Sequence, residues 1–138
     1  MIEDIQDYIE TQLNTISGVT VTPWQGDIDE LLDSPLTLPC IQIIYQAAEF
    51  GPRKTMGMRH WDLDMEFLLV VICKDNASRA GAAAEAYGII ESVRGKLAGY
   101  KITGYGALEP HSEERLMAVG GVLMYGLTYR LSTDVMIT

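Results

Sequence analysis

Asp62, Asp64 and Glu66 recur at every second position of one stretch, WDLDMEFLLVVICKD, which runs from Trp61 to Asp75. Extended backbone sends alternate side chains to opposite faces, so this spacing places three carboxylates on one face of a strand. Such a row has the oxygen donors for a divalent cation or the acid pair of a hydrolase. It is equally the solvated or subunit-facing side of a strand whose neighbours supply Arg or Lys partners. A second constellation surrounds His111 in EPHSEE, where Glu109, Glu113 and Glu114 can in principle join it around a metal. That spacing matches no established ligand pattern, and a solvated polar loop accounts for it as well. His60, the other histidine, stands beside Trp61 at a strand entrance and reads as a surface residue rather than a general base.

Arg53, Lys54, Met56, Met58 and Arg59 form the only basic cluster of an acidic chain. No aromatics are interleaved with these charges, so single-stranded nucleic acid is weakly supported as a partner. Methionine side chains conform to varied protein surfaces, which favours a contact with another protein. A plain flexible loop is the competing reading. No serine-centred elbow is present. GVTVTPWQG and GYGALEP lack both the spacing and the strand-to-helix context that phosphate binding needs.

With 10 basic and 19 acidic residues among 138, the formal charge is −9 and the pI about 4.5. That balance opposes a protein that grips phosphate backbones through counterion release. A chain this long is expected to form one domain, residues 1–138, with a core that needs no disulfide or metal. Cys40 and Cys73 both fall in apolar strand patterns and read as buried, reduced thiols. The acidic start MIEDIQDYIETQLN lacks the features of a signal peptide, and no apolar run approaches the roughly 18 residues that span a bilayer. The expectation is a soluble protein made inside the cell, with no membrane partner.

The elements that must position these residues follow from periodicity. Ile2, Ile5, Ile9, Leu13 and Ile16 step by three and four along an amphipathic helix, which Ser17-Gly18 ends. Val19–Thr22 is a short strand. Trp24–Pro39 is a connector, with Asp27 capping a short helix through Leu32 and prolines 35 and 39 stopping it. Cys40–Phe50 is a strand with Ile41, Ile43 and Tyr45 on one face. Gly51-Pro52 turns the chain into a mobile hairpin loop that holds the basic cluster.

The long strand follows. Its odd positions are apolar throughout, whereas its even positions change from acidic to Leu68, Val70 and Ile72. The change predicts a strand that begins half-solvated and then runs under a second layer. The helix next in sequence, capped by Asn76 and aligned through Ala83, Tyr87, Ile90, Val93 and Leu97, is the expected cover. Lys101–Leu108 is a strand weakened by glycines, Glu109–Arg115 a polar loop, and Met117–Ser132 the last strand, with Gly120-Gly121 suggesting a bulge or bend. Directly joined strands and two helices predict an α+β fold: a single mainly antiparallel sheet with two helices packed on it.

The stretches LPCIQIIYQAAEF, VICKDNASR, GIIESVRGKLAGY and MYGLTYRLST, in this order, resemble the Mu-like phage tail terminator family, related in role to lambda-type tail terminators. The likeness spans nearly the whole chain and is a pattern of strands and helices, not a catalytic signature. It implies a tail-terminator-like fold and a homo-hexameric ring. That ring would cap the tail tube, end its polymerisation and join it to the head-side connector protein. A contractile tail would add contacts with the tail sheath, and phage DNA would pass through the lumen without specific binding. The implied location is the tail or neck of the virion, with assembly in the bacterial host cytoplasm. No catalytic, metal-binding or cofactor-binding residue and no cofactor is implied. On this reading Arg53, Lys54, Met56, Met58 and Arg59 meet a neighbouring subunit or the tube, and Asp62, Asp64 and Glu66 face the lumen or an interface. The alternatives are another neck, connector or tube-like tail component, or a small metal-dependent enzyme working through the acidic strand face.

Overall fold

A computed structural model describes residues 1–27, 30–31, 36–74 and 79–137, with the Arg79 side chain left aside. The expected stop at position 35, the cap at Asn76 and half of the short helix from Asp27 to Leu32 lie outside these residues. Among the described residues, two helices and six strands follow in the order α1 (Ile2–Leu13), β1 (Thr20–Pro23), β2 (Cys40–Arg53), β3 (His60–Lys74), α2 (Arg79–Leu97), β4 (Lys101–Ile102), β5 (Gly106–Val119) and β6 (Val122–Met136). The strands make one sheet ordered β1-β2-β3-β6-β5-β4. The fold is α+β as expected, and the sheet is mixed: β1 runs parallel to β2, while every other pairing is antiparallel.

β3 is paired along its whole length with β6 and along most of it with β2. Its odd residues from Leu63 to Cys73 join the larger core with Ile5, Ile9 and Leu13 of α1 and Ala86, Val93 and Leu97 of α2. Both helices therefore lie on the odd face. The cover of Leu68, Val70 and Ile72 is not α2, as the sequence suggested. These residues pack in a second cluster with Leu31 and Cys40, flanked by Trp24, Leu36 and Leu38 of the connector. A helix that follows a strand directly can pack on only one face, and the longer run of odd apolar residues takes it.

Other boundaries shift for similar reasons. The inward face of α2 is Ala82, Ala86, Ile89, Ile90, Val93 and Leu97, so Ile90, Val93 and Leu97 of the expected register are buried, whereas Ala83 is half-buried and Tyr87 is 53% exposed. Glu109–Arg115 belongs to β5, not to a loop, and Gly120 and Gly121 form the tight β5–β6 turn with φ of 58° and 79°. Paired left-handed residues suit a two-residue hairpin turn, so the expected bulge or bend is a full reversal of the chain. Gly51 and Pro52 lie within β2, and the turn to β3 comes later, at residues 54–59. α1 ends at Leu13, before the expected Ser17-Gly18, and Gly18 (φ 76°) serves the turn that follows. Among the described residues no helix is long and apolar enough to cross a membrane.

Candidate functional site

The even face of β3 and its neighbours on β2 and β6 place Asp62, Asp64 and Glu66 together on the side of the sheet away from the helices. Cross-strand register puts Asp62 beside Asp134, Asp64 beside Ser132 and Glu66 beside Arg130. Each carboxylate has a partner there. Ser132 Oγ donates to Asp64 Oδ1 at 2.5 Å, and Arg130 Nε donates to Glu66 Oε1 at 3.2 Å. Lys54 Nζ lies 3.3 Å from Asp62 and 3.7 Å from Asp134. His60 Nε2 lies 2.6 Å from Asp134 Oδ2. The hydrogen bond from His60, helped by the charge of Lys54, holds the Asp134 carboxyl below the usual range.

The result is a surface ladder of cross-strand pairs, each of modest energy. The carboxylates look outward from an exposed sheet instead of converging on a sheltered point. Among the described residues no group of three His, Cys, Asp or Glu side chains is placed to hold a metal ion. His111 is exposed on β5. Glu113 does not turn toward it but pairs with Arg94 of α2. The two cysteines are free, buried and on opposite faces: Cys40 in the smaller core, Cys73 in the larger. Burial pushes the Cys73 thiol up to about 12, which keeps it protonated and unreactive.

The basic cluster splits in two. Arg53 Nε donates to the Met58 carbonyl at 2.6 Å, and its guanidinium lies 5.3 Å from the centre of the Trp61 ring. With Lys54 drawn to Asp62, these two cations brace the base of the hairpin. A backbone bond from Lys54 to the His60 carbonyl closes that base, and another from Met58 to the Thr55 carbonyl closes the tip. Met56 is 96% exposed, Met58 is exposed, and Arg59 has no ion-pair partner among the described residues. The tip thus offers two thioether side chains and one unpaired cation to solvent. Sequence reasoning found the cluster but missed its anchors, and it missed Arg130, Ser132 and Asp134 altogether.

Open strand faces and a projecting hairpin suit contact with other proteins. No curated protein matches the chain. Among solved structures it is similar to a chain from the virion of a native gene transfer agent particle, at 13% identity and a TM-score of 0.64 over 95% of both chains; at that identity the likeness establishes a shared fold. The model of the phage tail terminator proteins matches residues 4–138, so the chain belongs to that family of virion structural proteins.

Proposed function

We propose that this protein is a single-domain subunit of a homo-hexameric ring that caps the tail tube, ends its polymerisation and joins it to the head-side connector protein. In a contractile tail the same ring meets the last ring of the tail sheath. Assembly takes place in the bacterial host cytoplasm, the product stays in the tail or neck of the virion, and the subunit performs no reaction. The match of residues 4–138 to the tail terminator family carries this reading.

The distribution of charge supports it. The hairpin cations Arg53, Lys54 and Arg59 sit in a chain whose formal charge is −9, so the remainder of the chain carries the opposite sign. Two identical basic tips repel one another, whereas a basic tip set against a neighbour's acidic surface attracts. That asymmetry favours head-to-tail contacts, which close into rings. Asp62, Asp64 and Glu66, with Asp134, make an acidic face that suits a lumen through which DNA slides without sticking.

Native mass measurement and negative-stain imaging of the purified protein, alone and mixed with tail tubes, test the proposal. The expected result is a six-membered ring seated at one end of each tube. A monomer that leaves tube growth unchanged would overturn it.

A further inference from the structure

The outer edge of β2 is covered only in part. β1 pairs with it from Cys40 to Ile43, and beyond Tyr45 no described strand does. Bulges between Tyr45 and Ala47 and between Phe50 and Arg53 bracket a regular window, Ala47–Phe50, whose inner side is in register with Leu63–Glu66. An unpaired edge of this kind presents backbone donors and acceptors to a further extended chain.

The two flanks of the window differ. On the helix side Ala48 and Phe50 open onto an apolar hollow of about 350 Å³ shared with Ile2, Met65 and Ile137, and Phe50 is 59% exposed. On the other side Ala47 and Glu49 border a hollow of about 400 Å³ that contains Asp64, Glu66 and Arg130. Glu66 is engaged by Arg130 and Asp64 by Ser132, while Glu49 has no ion-pair partner among the described residues.

We propose that Ala47–Phe50 is a strand-addition site for an extended segment of another protein that alternates apolar residues with lysine or arginine. A strand added here sends alternate side chains to opposite faces. One set fills the apolar hollow beside Phe50, and the other meets Glu49 and the acidic face. A second copy of this chain fits less well. Its own β2 edge would set Glu49 and the acidic face against their own copies, and its other open margin, β5 beyond Leu108, would bring Glu109, Glu113 and Glu114 toward those acids and is interrupted by Pro110.

The test titrates the full-length protein with a labelled octapeptide of alternating valine and lysine. One control has the same composition without alternation. Another keeps the alternation but is N-methylated, so that edge hydrogen bonds are lost. The alternating peptide is expected to bind at least about tenfold more tightly than either control. Glu49→Lys should weaken it about two- to fivefold, and hydrogen exchange at Ala47–Phe50 should slow on binding. Equal binding of all three peptides would reduce the effect to bulk attraction by an acidic protein and overturn the proposal, as would no binding. Protection of the window that grows with protein concentration in the absence of peptide would assign the edge to a second copy, and would overturn it too.

Discussion

Arg94 and Glu113 tie α2 to β5 through two hydrogen bonds from one guanidinium, Nε to Oε2 at 2.8 Å and the terminal nitrogen to Oε1. The hydrogen bond from Arg94, with its charge, depresses the Glu113 carboxyl below its ordinary 4.5. The sign of the consequence follows from linkage. A carboxyl depressed in the folded state stabilises fully above its unfolded pKa, and that contribution fades as pH falls through the folded value. Wild type should therefore lose stability more steeply than Glu113→Gln as pH drops below about 4.5, and the two slopes should run parallel at neutral pH. Urea midpoints across an acid series would show it. Because Arg94 stands largely in water, the difference should be small; no difference in slope would mean that the pair does not persist in solution. The Asp62–Asp64–Glu66 row shows how far such pairs can be read in advance. Its alternation was legible, because the period of a strand is local. Its partners Arg130, Ser132 and, for His60, Asp134 lie 64 to 74 positions away, and only the β3–β6 pairing brings them near.

At the level of elements, the informative strand is β3, whose two faces have different covers. Alternation showed both faces to be apolar beyond Leu68, but nothing local says which element covers which face. The connector takes the second face: Leu31 is fully buried against Leu68, Val70 and Ile72, and Trp24 packs beside them with its Nε1 donating to the Asp27 carbonyl at 3.1 Å. Leu31→Ala should therefore destabilise the fold by about 2–5 kcal/mol, as truncation of a buried leucine does. Thermal or urea unfolding would measure it. A loss below about 0.5 kcal/mol would place Leu31 among ordinary surface positions and remove the connector from the core. β5 was hard to recognise for the opposite reason. It is a margin strand with bulges after Pro110 and Arg115, and it is exposed from Glu109 to Glu114, so no apolar alternation survives there. Two strands joined by Gly120-Gly121 also merge into one pattern when the turn is only two residues long.

For the whole molecule the decisive quantity is charge, and it acts in two opposed ways on assembly. In the proposed ring, copies that each carry −9 would repel at long range, while the basic hairpin would attract a neighbour's acidic surface at short range. Salt separates the two, because screening acts over about 30 Å at 0.01 M, about 8 Å at 0.15 M and about 3 Å at 1 M. At very low salt the repulsion between whole subunits is felt and should hold the ring apart. Near physiological salt that repulsion is screened, whereas contacts of a few ångströms between the hairpin and a neighbour, led by the unpaired Arg59, would survive. Near 1 M these weaken as well. Assembly should thus pass through a maximum as salt rises. Replacing Arg53, Lys54 and Arg59 with Ser takes the formal charge from −9 to −12 and removes the attraction. That variant should remain folded, because all three side chains are exposed at the hairpin, yet assemble more weakly than wild type at physiological salt. It should also show no maximum, gaining assembly steadily as its repulsion is screened. Light scattering or native mass measurement across a salt series reads both curves, and circular dichroism confirms the fold. Coincident curves would show that the ring is held together elsewhere and that the hairpin takes no part in it.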